Sequence, residues 1–113
     1  MQVFYHHMYE YQKGLRHLIL HTTHKKSQEE ITKILEKNGI EYLISPIGNN
    51  INIFFGSRSC IEVLKSIAKD NLSEYTDEED FILGIMLGYD RLKQCERYLE
   101  RKSGDKTIEE LIG

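Results

Sequence analysis

The sequence is poor in proline, in cysteine and in long apolar runs, and each shortage excludes something. Proline occurs once, at Pro46, and no stretch is rich in proline and serine, so nothing reads as a linker to a second domain. Two cysteines, Cys60 and Cys95, make neither a disulfide framework nor a CxxC metal knuckle. The longest apolar run, Phe81 to Tyr89, is interrupted by two glycines and falls far short of the roughly 20 residues a membrane span needs. Met1-Gln2-Val3-Phe4-Tyr5-His6-His7 has no basic start and no long apolar core, so it does not read as a signal peptide. These features predict a reduced, cytoplasmic protein.

A surplus of positive charge is lacking too. Lys and Arg number 15 against 18 Asp and Glu, for a net charge of −3 and a pI near 5.9. A nucleic-acid reader draws its affinity from phosphate neutralisation. The one basic cluster, Lys25-Lys26 beside His24, is too short for that. What is present is ordinary globular material: 113 residues, 40% hydrophobic and 29% charged. This predicts one domain over residues 1–101 and a short tail over 102–113.

The chain has two textures. Residues 1 to 55 carry strand signals, and residues 58 to 101 are mostly helical. Met1 to Tyr11 alternates and is rich in Val, Phe and Tyr; Leu15 to Thr22 is similar. Lys13-Gly14 between them suits a tight hairpin turn. Ser27, with Glu30 three residues on, predicts a capping box and a helix whose buried stripe is Ile31, Ile34 and Leu35. Asn38-Gly39 ends it with a left-handed cap. Glu41 to Ile47 and Ile51 to Phe55, around Gly48-Asn49-Asn50, form a second predicted hairpin.

A helix follows from about Cys60 to Lys69, with Ile61, Leu64 and Ala68 inward. Thr76-Asp77-Glu78-Glu79 is another capping box, opening one long helix from Asp77 to Arg101. Along it Phe81, Ile85, Gly88, Leu92, Cys95 and Leu99 recur at steps of four and three, the spacing of a packed seam. Ser103-Gly104 is expected to break it. The order is therefore ββαββαα, an α+β fold with one mixed four-stranded sheet and helices packed on one face. The first predicted crossover helix makes the strands that flank it parallel, and neighbours or nearly so.

Three clusters are chemical candidates. Five histidines fall in the first 24 residues: His6, His7, His17, His21 and His24. In either hairpin register one of His6 and His7 joins His17 and His21 on one face: His6, with Glu10 opposite His17, for a two-residue loop, or His7, with Tyr5 and Tyr9, for a three-residue loop. That face is a ligand or partner platform, or simply a half-exposed or helix-covered surface. A metal is not expected, because His17 and His21 on one strand stand about 13 Å apart.

Gly56-Ser57-Arg58-Ser59 lies between a strand and a helix start, where an anion would be favoured. Ser59 with Glu62 also fits a plain capping box. Cys60 sits in the same first turn, where a thiolate is stabilised, although no histidine is tied to it by sequence and a small apolar residue is its commoner role. Gly84 and Gly88, with Leu92 and Cys95, mark either close intrachain packing or a dimer seam; the tail's Ile108, Leu111 and Ile112 are the alternative cover. No residues have the spacing of a catalytic couple, so no catalytic residue and no cofactor is predicted.

The segments Phe54-Phe55-Gly56, Cys60-Ile61-Glu62-Val63, Glu78-Glu79-Asp80-Phe81-Ile82-Leu83-Gly84, Leu87-Gly88-Tyr89-Asp90-Arg91-Leu92 and Gln94-Cys95-Glu96-Arg97-Tyr98-Leu99 form a long block. Together with Val3-Phe4-Tyr5-His6-His7 and Lys13-Gly14, it resembles a small bacterial family catalogued as domain of unknown function 2023, over residues 1 to about 101. The resemblance brings no activity and no catalytic residue. It implies a redox-associated accessory role with a flavodoxin-like partner. Two classes of function follow: a non-enzymatic accessory or interaction protein acting as a homodimer, or a small metal- or cysteine-dependent enzyme built on the histidine face or Cys60.

Overall fold

A computed structural model describes residues 1–67 and 74–112, without the side chains of 105–112. Ala68 of the second predicted helix, and the side chains of Ile108, Leu111 and Ile112, lie outside the described part. The chain forms two compact units, Met1–Glu74 and Tyr75–Gly113.

The first unit opens with a helix, α1 (Gln2–Gln12), where alternation predicts a strand. Its aromatic and β-branched residues favour extended chain only weakly, and burial overrides that preference. Phe4 and Met8, one turn apart, are the two residues of α1 that enter the core. Lys13-Gly14 then does different work from a hairpin turn. Gly14 takes φ +74, the Leu15 N–H donates to Glu10 O at 3.0 Å and the Gly14 N–H to Tyr11 O at 3.0 Å. These two bonds make a Schellman cap, which needs a left-handed residue after the helix and therefore favours glycine.

β1 (Leu18–His24) leads through a 3₁₀ turn (Lys25–Ser27) into α2 (Gln28–Lys37). The Ser27 side chain makes no capping bond; His24 Nδ1 instead accepts from the Lys26 N–H at 3.1 Å and caps the turn. The Asn38-Gly39 end forms as expected, with Gly39 at φ +66. β2 (Glu41–Ile47) and β3 (Asn50–Gly56) form the second predicted hairpin.

Among the described residues the sheet is three-stranded, in the order β1-β3-β2, with both pairings antiparallel. The predicted four-stranded mixed sheet and ββαββαα order are thus corrected, because the first predicted strand is α1. β1 and β2, joined through α2, run parallel to each other with β3 between them.

Period-two alternation sends Ile51, Ile53 and Phe55 of β3 to one face, where Ile19 of β1, Phe4 and Met8 of α1, and Ile31 and Leu35 of α2 complete a core. Phe54 points the other way and is also buried. α3 (Arg58–Ile67) packs against β2 and β3 with Ile61 and Leu64 buried, outside the α1–α2 core. Helices therefore cover both faces of the sheet, not one.

The second unit is a pair of helices, α4 (Asp77–Met86) and α5 (Arg91–Ile112). The Thr76 capping box forms, with the Glu79 N–H on Thr76 Oγ1 at 3.1 Å and the Thr76 N–H on Glu79 Oε1 at 3.0 Å. The single helix predicted over 77–101 does not form. Gly88, at φ +79, caps α4 in the same manner as Gly14 caps α1. Asp90 Oδ1 then accepts from the Lys93 N–H at 2.9 Å and starts α5. α5 continues through Ser103-Gly104, where a break is predicted.

Candidate functional site

α4 and α5 fold back on each other around Gly88-Tyr89-Asp90, and one flank of this hairpin is zipped by polar contacts. Asp80 receives both the Arg97 Nε at 2.9 Å and a second Arg97 nitrogen at 3.1 Å. Arg101 reaches Asp77 at 2.8 Å and Asp80 at 3.0 Å. Further along the same row, a methyl group on Gly84 would run into the Gln94 side chain. Positions 77, 80 and 84 thus face 101, 97 and 94, each set at helical i, i+3, i+7 spacing. The acids at the front of the predicted long helix and the arginines at its back are complementary because the chain reverses between them.

A second row joins the helices beside the first. Phe81 and Tyr98 pack with ring centroids 5.5 Å apart, and the Tyr98 hydroxyl donates to Glu78 at 3.1 Å. Lys102 reaches Glu78 at 2.9 Å. The Arg97 guanidinium holds the Asp80 carboxyl below its ordinary range, and the Lys102 ammonium does the same for Glu78.

Past this row the hairpin opens into an apolar groove of about 510 Å³ lined by Phe81, Ile82, Cys95, Tyr98 and Leu99, with Glu78 at its rim. Leu92 and Leu99 stand 68% and 61% exposed on α5, and Ile82 of α4 is exposed beside them. Leu92 and Leu99 of the expected seam therefore face outward from α5, with half-buried Cys95 between them, together with Ile82, which periodicity alone does not single out. Gly84 is buried against Gln94, and Gly88 is the end of a helix rather than part of a helix interface.

The histidines are only partly gathered. His7 of α1 and His21 of β1 meet edge to face, with centroids 5.3 Å apart and planes at 81°. His21 is buried, and its ring also meets Phe4 at 5.5 Å. Burial holds both imidazoles below their usual pKa of 6.5; Arg16 adds to the effect at His7, and His7 adds to it at His21. His6 lies out in solvent 3.4 Å from Glu10, and His17 precedes β1 and is exposed. Tyr5 and Tyr9 are exposed on α1, one turn apart. Among the described residues, no three His, Cys, Asp or Glu side chains lie close enough to hold a metal ion.

At the start of α3, the helix begins at Arg58, so Ser59 lies inside it and the Ser59–Glu62 capping box does not form. Arg58 Nε binds Glu62 at 3.1 Å, one turn along its own helix, so the cation expected to clamp an anion is paired with a carboxylate. The Ser57 N–H donates to His17 O at 2.8 Å and ties this corner to β1. A Cβ on Gly56, at φ +152, would strike that same carbonyl oxygen. Gly56 is therefore set by close backbone approach. Cys60 is half-buried in the first turn of α3, and both cysteines are free thiols.

Fold and surfaces together define a small α+β protein with an apolar groove on a two-helix hairpin. The chain belongs to the family described as protein of unknown function (DUF2023), which it matches over residues 2–101. Comparison with curated proteins gives no match.

Proposed function

We propose that the protein is a non-enzymatic, cytosolic bacterial accessory protein that works as a homodimer, with the α4–α5 hairpin as its assembly surface. The observation that carries this reading is the groove between Phe81, Ile82, Cys95, Tyr98 and Leu99, continued by exposed Leu92. Two helices cannot bury both sides of their apolar seam alone; two such hairpins facing each other make a four-helix bundle, which can. Each flanking leucine is worth roughly 1.5–3 kcal/mol on full burial.

The charges flanking the stripe support a second copy as the occupant. With Leu92 and Leu99 at heptad position a and Cys95 at d, Arg91 falls at g and Glu96 at e. In a parallel two-fold pairing of α5 with its copy, g of one helix faces e of the other, so Arg91 meets Glu96 on both sides of the axis. The same symmetry sets the two Cys95 side chains across the axis from each other. The dimer then presents two copies of the Met1–Glu74 unit, and the family resemblance supports a flavodoxin-like redox protein as its further partner.

Cysteine trapping tests the arrangement. In Cys60→Ser protein, mild oxidation should give a reducible dimer band through Cys95, and Leu99→Glu should abolish it. A monomeric band under oxidation would contradict the pairing.

A further inference from the structure

α1 rests on the sheet through Phe4, Met8 and His7, three side chains on one helix face. Phe4 packs against Phe55 at 5.7 Å and against His21 at 5.5 Å. His21 is 7% exposed, and His7 closes over it at 5.3 Å. Among the described residues, His7 Nδ1 is buried and has no hydrogen-bond partner.

A neutral imidazole tolerates this, because one ring nitrogen then bears no proton. An imidazolium carries N–H on both nitrogens. Protonated His7 would bury a donor with no acceptor, and protonated His21 would place a charge between an imidazole and a phenyl ring.

The surroundings offer little compensation. Opposite His21 on β3 is Ile53, and the buried residues of α2 are Ile31 and Leu35. Tyr11 packs on the core from α1 itself. The charged groups acting on His7 are Arg16, Glu10 and His6, and those acting on His21 are His7 and the chain's amino terminus. Glu10 is the one anion among them, and it is shared with His6 at 3.4 Å and Arg16 at 3.9 Å.

We propose that His7 and His21 form an acid-sensitive latch: mild acid protonates the pair and loosens α1 from the sheet before the rest of the Met1–Glu74 unit unfolds. The direction follows from linkage. Attached α1 holds both rings neutral by burial, so the detached state binds more protons. The latch is fully closed above about pH 6.5, the ordinary histidine value, and weakens as the pH falls through it toward the lowered values. Detachment uncovers Phe4 and Met8 on one side and Ile19, Ile53 and Phe55 on the other, so the switch gates apolar surface.

Amide hydrogen exchange on the full chain, corrected for the intrinsic pH dependence of exchange, tests this. Between pH 7.5 and 5.0 the protection of the α1 amides should fall severalfold or more relative to β3. The NMR titration midpoints of His7 and His21 should both lie below 6.5. A doubly substituted His7→Phe, His21→Phe chain keeps rings in the slot and should lose the pH dependence. Unchanged relative protection in the wild type, midpoints at or above 6.5, or a variant that keeps the full acid response would each overturn the latch. The wild-type midpoints decide the matter even if the variant fails to fold.

Discussion

Arg97 of α5 grips Asp80 of α4 with two nitrogens, at 2.9 and 3.1 Å, across 17 residues of sequence. A fork of this kind fixes orientation as well as distance. It holds the zipped flank of the hairpin in register and leaves the opposite flank, with Ile82, Cys95 and Leu99, as the open one.

Asp80→Asn should therefore cost about 1 kcal/mol, modest because Arg97 is more than half exposed and solvent screens the pair. The sign with pH follows from the lowered carboxyl pKa of Asp80, caused first by the Arg97 hydrogen bond. Its contribution is present above about pH 4 and lost as the pH falls through the folded-state value. Thermal melts of wild type and Asp80→Asn should converge as the pH is lowered through the folded-state value, and a difference that does not shrink with acid would show that the pair is not its source.

Gly56 and Gly84 should respond differently to alanine. At Gly56 the new methyl group meets the His17 carbonyl oxygen, and the strand and β1 must part. A loss of about 2–3 kcal/mol is expected in chemical denaturation. At Gly84 it meets the far end of the Gln94 side chain, which can swing away. There the gain in helix propensity, about 1 kcal/mol, offsets the contact, leaving stability within about 1 kcal/mol of wild type. Equal losses at both sites would contradict the two environments.

The aromatic residues of α1 should divide by burial. Phe4 is fully buried, so Phe4→Ala should destabilise by about 3–5 kcal/mol, whereas exposed Tyr9→Ala should change stability by under about 1 kcal/mol. His7→Ala should fall between them. A loss at Tyr9 comparable to that at Phe4 would mean the segment packs otherwise.

Much of this architecture is legible in the residues, and the misreadings share a cause. Ile31 and Leu35, the Gly39 cap, the second hairpin and the Thr76 capping box are local signals that nothing nearby contests. Val3 to Tyr11 carries two patterns at once: aromatic alternation over every second residue, and Phe4 with Met8 one helical turn apart. Only the tertiary surface waiting on β1 and β3 decides between them. Lys13-Gly14 is equally ambiguous, since a left-handed glycine serves a hairpin turn and a helix cap alike. The break at residue 88 is hidden because Phe81, Ile85, Leu92, Cys95 and Leu99 stay in phase across it. The signal was Gly88 followed two residues on by Asp90, a cap after one helix and a cap before the next. The pairing of His7 with His21 follows from the α1 packing, so spacing along the chain could bring the two rings to one face but could not separate His7 from His6.

The oligomeric mass tests the central claim most directly. Light scattering on wild-type protein at micromolar concentration should give twice the chain's 13.3 kDa, and Leu92→Glu or Leu99→Glu should return it to the single-chain value with the circular dichroism spectrum unchanged. A wild-type mass equal to one chain, or a dimer indifferent to both substitutions, would contradict assembly through the α4–α5 groove.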